Sequence, residues 1–298
     1  MNKGNASLND LARTYATNSV ISDDGTTIGY RQSGCGPGLI LVHGGMMTSQ
    51  NFMKLAAMLS KEFTVYVSDR RGRGLSGPFG ANYSMKKACE DMEALLRKTE
   101  AHNVFGLSAG ALISLQAALT QPAIHKVALY EPPLPLSGHP SPTAWVARYG
   151  QELAQENLGA AMVSIIKGTG DSSLFTALPR FLLVPLMTLA IRADAKEVKD
   201  DGVPLHILIP TMQYDTQIVK EMEGTLERFQ AITAEVLLLG GDKSQTYLKD
   251  ALDGLSTVLP HVHRVEFAGC GHLAADNGGK PERVAQELRR FFSASSMA

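Results

Sequence analysis

Residues 103–113, NVFGLSAGALI, decide the fold of this chain, because a short apolar run meets the pattern Gly-x-Ser-x-Gly and passes at once into helix-favouring residues. This order predicts a strand that turns sharply into a helix, with Ser108 at the turn. Gly106 and Gly110 lack a Cβ and so allow a strained turn and close packing of the helix. The unpaired N–H groups at the helix N-terminus suit an oxyanion formed beside the serine. Ser108 is therefore a candidate nucleophile, although such five-residue patterns also occur in ordinary strand-to-helix turns.

Strand and helix patterns alternate on both sides of this turn. Upstream, two β-prone runs separated by Asp-Asp-Gly predict a hairpin. Short strand-like runs, most of them apolar, predict further strands at residues 39–42, 63–67, 126–130, 235–239 and 263–267. The uninterrupted run at 39–42 indicates burial on both faces, as in a parallel sheet. Helical spacing follows at residues 49–61, 84–99, 246–259 and 281–292. These β-α units predict an α/β fold.

The alternation stops after the prolines at 132–133 and resumes near residue 234. Helical patterns replace it at residues 145–167, 175–195 and 216–229, with interruptions expected at Pro179, Pro185, Pro204 and Pro210. We interpret this stretch as a helical cap. The expected domains are residues 1–132 and 234–298 for the core and 133–233 for the cap.

Apolar residues are dense in part of this predicted cap, at 174–187, and in the pair Met46-Met47. They could line a pocket for an acyl or aromatic group. Packing of the cap onto the core explains them equally well.

Composition narrows the classes of partner. The 298 residues are 44% hydrophobic, enough for a sizeable core, and the net charge of -1 favours neither nucleic acid nor an anionic membrane. The three cysteines include no CxxC pair, which argues against a zinc site or a disulfide framework. No secretory signal or membrane-spanning run is evident. We expect a cytoplasmic protein that acts on a small molecule without a metal or organic cofactor; the oligomeric state, a homo-oligomer included, stays open.

A base for Ser108 is available in the glycine-rich loop 268–272, AGCGH, which follows the last predicted strand. A neutral imidazole at His272 could take the serine proton and return it to a leaving group. The alternative is a loop histidine without a chemical role.

The sequence resembles the α/β-hydrolase family from about residue 18 to residue 292. The motifs that carry the resemblance are GLSAG at 106–110, Gly-His at 271–272, HGG at 43–45 and DRRGRGLS at 69–76. The resemblance implies an eight-stranded, mostly parallel sheet with a cap between strands six and seven. It also implies a triad in the chain order Ser, acid, His, with Ser108 first and His272 last.

The resemblance further implies an oxyanion hole of two backbone N–H groups. These carry over to Ala109 and Gly45, with Met46 as the alternative to Gly45. His43 would shape that loop, and the arginine loop at 69–76 would be a structural tie.

The acid departs from the commonest family pattern, in which an aspartate stands three residues after the glycine that closes strand seven. Here that position is Ser244, which could orient a histidine but could not balance an imidazolium charge. Two carboxylates remain, Glu131 after strand six and Asp242 after strand seven. We favour Glu131, because it stands at the carboxyl end of a strand and the prolines that follow would stiffen its backbone.

These residues favour a serine hydrolase that cleaves an ester, lactone or related acyl bond of a largely apolar substrate. A serine in place of an aspartate at position 108 speaks against the dehalogenases and epoxide hydrolases that the family also contains. Lyase, perhydrolase and related chemistry remain compatible with the same triad. The rival from another class is a small-molecule receptor on this fold, motivated by Ser244 at the usual position of the acid.

Overall fold

The computed structural model describes residues 15–170, 178–197 and 202–294. Its strands are β1 (Ala16–Ile21), β2 (Thr27–Ser33), β3 (Gly38–Val42), β4 (Thr64–Ser68), β5 (Asn103–Leu107), β6 (Lys126–Tyr130), β7 (Glu235–Gly241) and β8 (Val262–Phe267). They form one sheet in the order β1-β2-β4-β3-β5-β6-β7-β8. The pairs β1/β2 and β2/β4 are antiparallel and all other neighbours are parallel. The predicted eight-stranded, mostly parallel sheet is confirmed.

The helices within the described residues are α1 (Met53–Leu59), α2 (Met85–Thr99), α3 (Ala109–Thr120), α4 (Val146–Ala154), α5 (Leu158–Thr169), α6 (Arg180–Glu197), α7 (Leu205–Glu221), α8 (Thr246–Val258) and α9 (Pro281–Ser293). Short 3₁₀ helices lie at Ser49–Phe52 and Leu226–Ala231. No helix in these parts of the chain has both the length and the apolar character needed to cross a membrane.

Successive residues of the central strands enter two different cores, which explains why the interiors of these strands are mostly apolar. In β3, Ile40 joins the core formed with α2, α3 and α8, whereas Leu39 and Leu41 join the core formed with α1 and α9. Both faces of the sheet are therefore covered, as the uninterrupted apolar run predicts. The carboxyl ends of the parallel strands remain as the edge at which a site can form.

Between β6 and β7 the chain forms α4 to α7, which we call the helical insertion. The predicted helix at 145–167 is wrong as a single element, because Asn157 caps α5 by accepting a hydrogen bond from the N–H of Ala160 and so separates it from α4. The start of the predicted helix at 175–195, and residues 174–177 of the apolar run, lie outside the described residues. The domain limits at 133 and 233 stay a prediction.

Two of the predicted interruptions are also wrong. Pro185 lies inside α6 and Pro210 inside α7. The helix predicted at 216–229 is wrong as one element, because residues 216–221 are the end of α7 and residues 226–229 belong to a 3₁₀ helix. A proline removes one backbone donor, but a helix can continue where its packing outweighs that loss. In α6, Leu183 and Met187 are buried on either side of Pro185.

Candidate active site

Ser108 occupies the sharp turn between β5 and α3. Its backbone has φ 56° and ψ −123°, a conformation that side chains other than glycine rarely adopt. The turn is held because the N–H of Ser108 donates to Tyr130 O at 2.9 Å, and the N–H groups of Ala111 and Leu112 donate to Ser108 O. The strained residue is thus fixed both to β6 and to the helix that it begins.

The two glycines of the motif are required by close backbone contacts. A Cβ on Gly106 would lie 2.5 Å from Gly110 O, and one on Gly110 would lie 2.4 Å from Val42 O. Both distances are shorter than a carbon and an oxygen can approach. Glycine at these positions lets α3 begin directly against the end of β3, so that Ser108 is placed beside the loop that follows β3.

Glu131 and His272 are in direct contact. Glu131 Oε2 lies 2.7 Å from His272 Nδ1, and Glu131 Oε1 accepts a 2.7 Å hydrogen bond from the N–H of Gly241. The carboxylate is fully buried, and its backbone, with φ 45°, is tied to β7 by a 3.0 Å bond from its N–H to Leu239 O. Both carboxylate oxygens therefore have a partner, and the side chain is fixed in the orientation that it presents to the imidazole.

Tyr130 contacts the loop at residues 268–272, which we call the histidine loop. Its hydroxyl donates to Gly271 O at 2.9 Å, one residue before His272. Burial raises the pKa of Tyr130, and the nearby charge of Glu131 adds to this shift, so the hydroxyl stays protonated and remains a donor. This contact was not anticipated from the sequence, where Tyr130 counts only as the last residue of a strand.

The alternative acid, Asp242, lies in a different environment. It is exposed, and its Oδ1 accepts a 2.7 Å hydrogen bond from the N–H of Gly269 at the base of the histidine loop. Ser244 has a buried hydroxyl with no hydrogen-bond partner among the described residues. Of the two candidate carboxylates, Glu131 is the one that the structure shows in contact with His272.

The loop after β3 contains Gly45, one of the two residues whose backbone N–H is a candidate donor to the oxyanion. The N–H of Arg70 donates to His43 Nε2 at 3.0 Å, and His43 Nδ1 lies 2.9 Å from Gly44 O. Because Nε2 accepts a hydrogen bond, the imidazole is neutral with its proton on Nδ1. Burial lowers the pKa of His43 well below its ordinary value, and the charges of Arg73 and Arg70 lower it further. His43 shapes this loop, as expected.

Met46 follows with φ 53°, a backbone conformation that is uncommon for a residue other than glycine. Across the cavity, Ala109 is the first residue of α3, so its N–H has no acceptor within the helix. Gly45, Met46 and Ala109 all line the cavity beside Ser108.

The three arginines of the arginine loop are buried and paired with aspartates. Arg70 Nη1 lies 2.7 Å from Asp215 Oδ1, and Arg73 Nη2 lies 2.5 Å from Asp215 Oδ2. Arg71 forms a separate buried pair with Asp91 at 2.6 Å. Sequence reasoning missed Asp215, which belongs to α7 of the helical insertion. The available signal was three closely spaced arginines, which need carboxylate partners when they are buried.

Ser108 and His272 line one cavity of about 330 Å³ between the carboxyl ends of the strands and the helical insertion. The charged side chains on the described part of its wall are Asp215 and Asp276, with no lysine or arginine. Most of the remaining wall is apolar, including Met46, Met47, Trp145, Met162, Ile165, Ile166, Met212, Val219 and Leu273. In the part of the chain that the structure describes, no group of three or more His, Cys, Asp or Glu side chains could hold a metal ion.

Comparison with known proteins extends over nearly the whole chain. A 2-(acetamidomethylene)succinate hydrolase of Mesorhizobium japonicum is 26% identical over 292 residues, which cover 96% of this chain and 100% of that protein. A pimeloyl-[acyl-carrier protein] methyl ester esterase of Xanthomonas campestris pv. campestris is 23% identical and covers 88% of this chain and 97% of its own.

Solved structures agree in fold. The crystal structure of an alpha/beta hydrolase from Sphaerobacter thermophilus has a TM-score of 0.73 at 27% identity and covers 93% of this chain and 100% of its own. The model of the alpha/beta hydrolase family matches residues 39–287. That match includes β3 to β8, the Ser108 turn and the histidine loop. The chain therefore belongs to the alpha/beta hydrolase family and, like its full-length relatives, is an α/β-hydrolase enzyme.

Proposed function

We propose that this enzyme is a cofactor-independent serine hydrolase that cleaves an ester, a lactone or a related acyl bond of a small, largely apolar substrate. The observation that supports this most directly is the 2.7 Å contact between Glu131 and His272, combined with the presence of His272 and Ser108 on one cavity wall. In this proposal Ser108 is the nucleophile, His272 the general base and Glu131 the acid of the triad. Gly45 and Ala109 supply the oxyanion hole.

The reaction proceeds in two steps of the same kind. Ser108 Oγ attacks the carbonyl carbon while its proton passes to His272 Nε2, and the carbonyl oxygen becomes an oxyanion. Collapse of this intermediate breaks the bond to the alcohol, which leaves with the proton from Nε2. Water then attacks the acyl-serine, giving its proton to the same nitrogen, and the acid is released as Ser108 recovers its proton. The buried Glu131 carboxylate stabilises the imidazolium in each step.

The cavity favours an uncharged acyl group. Its described wall is mostly apolar and includes no lysine or arginine, so a carboxylate on the substrate would lose hydration without a direct cationic partner. The charge of Asp215 is balanced by Arg70 and Arg73, which leaves Asp276 as the aspartate of the described wall that would repel a carboxylate. A succinate derivative such as the one in the name of the Mesorhizobium relative would bring two carboxylates to this wall. We expect this enzyme to differ from that relative in its substrate and to share with the Xanthomonas relative the hydrolysis of an ester.

Receptor function and lyase or perhydrolase chemistry are the alternatives. Glu131 offers His272 the carboxylate that Ser244 lacks, and this favours turnover over ligand binding alone. The cytoplasmic location and a small-molecule partner stay predictions from the sequence.

The test is hydrolysis of p-nitrophenyl esters of increasing acyl length by the wild type and by Ser108→Ala. We expect steady turnover in the wild type and, in the variant, a loss of at least about 1,000-fold. Tight binding of an ester without turnover would support the receptor instead. Release of p-nitrophenol by Ser108→Ala at the wild-type rate would refute the acyl-serine mechanism.

A further inference from the structure

Asp215 connects the helical insertion to the loop that holds the proposed oxyanion donor Gly45. It belongs to α7, yet it lies 145 positions along the chain from its partner Arg70, which follows β4. Arg70 Nη1 donates to Asp215 Oδ1 at 2.7 Å and also to Gly44 O at 3.4 Å. One guanidinium nitrogen thus joins the carboxylate of the insertion to the peptide between Gly44 and Gly45.

The direction of that peptide decides where the Gly45 N–H points. In a planar trans peptide the C=O of Gly44 and the N–H of Gly45 point in opposite directions. The C=O is held towards Arg70 and towards His43 Nδ1, which lies 2.9 Å from Gly44 O. The N–H of Gly45 therefore points away from this buried group, on a loop that lines the cavity with Ser108.

Asp215 also lies close to the backbone of Gly45. A Cβ built on Gly45 would lie 3.1 Å from Asp215 Oδ2 and 3.1 Å from the sulfur of Met212, one turn earlier in α7. The backbone at Gly45 therefore lies beside α7, and the preceding carbonyl group is held by Arg70 and His43. Asp215 takes part in both arrangements, because it lies beside Gly45 and also binds Arg70.

Stability alone is a weak explanation for this cluster. Arg70, Arg73 and Asp215 are buried, and the group carries two positive charges against one negative. Well-packed apolar residues often replace buried ion pairs at no cost in stability. Burial disfavours the Asp215 carboxylate, yet the charges of Arg73 and Arg70 outweigh this and lower its pKa, so it stays ionised and bound to both. The cluster lies beside the Gly44–Gly45 peptide, whose orientation affects stabilisation of the oxyanion in the proposed reaction.

Resting on the proposed hydrolase function, we propose that Asp215 is a positioning residue for the oxyanion hole. It holds Arg70 so that Arg70 fixes the Gly44–Gly45 peptide with its N–H turned towards the reacting carbonyl oxygen. The helical insertion then does more than form a wall of the substrate cavity, because it also sets the geometry of the oxyanion donor. The oxyanion hole is complete only with α7 in place.

This role differs from substrate binding in its kinetic effect. A misdirected Gly45 N–H weakens the interaction with the oxyanion, which exists only in the transition state, and leaves binding of the ground-state ester unchanged. The fall should therefore be in kcat, with KM nearly constant. A trifluoromethyl ketone, which forms an anionic hemiketal with the serine, should lose affinity in proportion.

The experiment compares Asp215→Asn with Asp91→Asn. Asp91 is a matched control, since it forms a buried pair with an arginine of the same loop but lies away from the cavity. For Asp215→Asn we expect kcat to fall by about 10- to 100-fold with KM within about 3-fold, and trifluoromethyl ketone affinity to fall by the same factor as kcat. Asp91→Asn should leave all three within about 3-fold of wild type.

Arg70→Lys provides a second variant if circular dichroism shows that Asp215→Asn does not fold. Lysine retains the charge opposite Asp215 but lacks the planar fork that reaches both Asp215 and Gly44 O, so the same loss of kcat and ketone affinity is expected. A wild-type enzyme that is active, with Asp215→Asn at full kcat or with unchanged ketone affinity, would overturn this inference alone. A wild type that neither turns over esters nor binds the ketone would overturn the hydrolase proposal and this inference together.

Discussion

Glu131 Oε2 lies 2.7 Å from His272 Nδ1, although the two residues are 141 positions apart in the chain. The sheet order explains the contact, because β6, β7 and β8 are adjacent and parallel, so the residues that follow them emerge at one edge. The second oxygen of Glu131 is bound by the N–H of Gly241, at the end of β7. A carboxylate after β6 thus reaches a histidine after β8 across the end of β7.

Glu131→Gln should lower kcat by about 1,000-fold or more, because a neutral amide cannot stabilise the imidazolium and can hold the wrong tautomer. Asp242→Asn should stay within about 5-fold of wild type, because Asp242 is exposed and bonded to the backbone of Gly269. The measurement is steady-state kinetics on the best p-nitrophenyl ester. Equal losses in the two variants, or a larger loss in Asp242→Asn, would contradict the choice of acid.

Gly110→Ala should destabilise the fold by about 1–3 kcal/mol or more, since its Cβ would lie 2.4 Å from Val42 O and 2.5 Å from His43 O, and backbone cannot yield as a side chain can. Gly150→Ala is the control. It lies in α4, where a Cβ would have no atom of the other described residues within 4 Å, and alanine there should raise the free energy of unfolding by up to about 1 kcal/mol through helix propensity. Denaturant unfolding measures both. A Gly110→Ala protein as stable as wild type would contradict the close packing of α3 on β3.

His43 should make stability fall in mildly acidic solution. Its pKa in the folded state is well below the ordinary value, so between the pKa values of the two states the unfolded chain binds one more proton. The contribution of His43 is complete above about pH 6.5 and declines as the pH falls, by up to about 1.4 kcal/mol per pH unit. His43→Asn should remove this slope. Parallel stability curves for wild type and variant from pH 7.5 to 5 would contradict a neutral buried imidazole.

Substrate charge should affect turnover strongly. We expect kcat/KM for p-nitrophenyl hexanoate to exceed that for the mono-p-nitrophenyl ester of adipic acid by about 10-fold or more, because the second carries a carboxylate into a mostly apolar cavity whose described wall includes Asp276. Asp276→Asn should narrow the difference by removing one repulsive charge. Faster hydrolysis of the adipate ester would mean that a cationic group, absent from the described wall, reaches the substrate.

Much of the fold was predictable because its signals are local. An uninterrupted run such as β3 identifies a strand covered on both faces, and Gly-x-Ser-x-Gly identifies the turn at Ser108. The helical insertion was predicted less well. There the local signal of Pro185 and Pro210 was overridden by packing, and a single capping residue, Asn157, divided what had the pattern of one helix.

The candidate site likewise contains residues that the sequence could predict and a contact that it could not. Ser108 and Glu131 directly follow β5 and β6, and His272 lies in the loop after β8, so the sequence could name all three. The structure brings Glu131 and His272 into contact. Their catalytic roles stay predictions. The contact between Arg70 and Asp215 could not be predicted, because the arginine loop shows only that carboxylates are needed, whereas the path of the insertion decides which one arrives.

The central claim is that Ser108 is an activated nucleophile. The most direct test is incubation of the wild type, Ser108→Ala and Glu131→Gln with a fluorophosphonate, followed by intact-mass and peptide mass spectrometry. The account predicts one label per wild-type chain on Ser108, none in Ser108→Ala, and labelling of Glu131→Gln slowed by about 100-fold or more. Absence of label on wild-type Ser108, or equal labelling of Ser108→Ala, would contradict it.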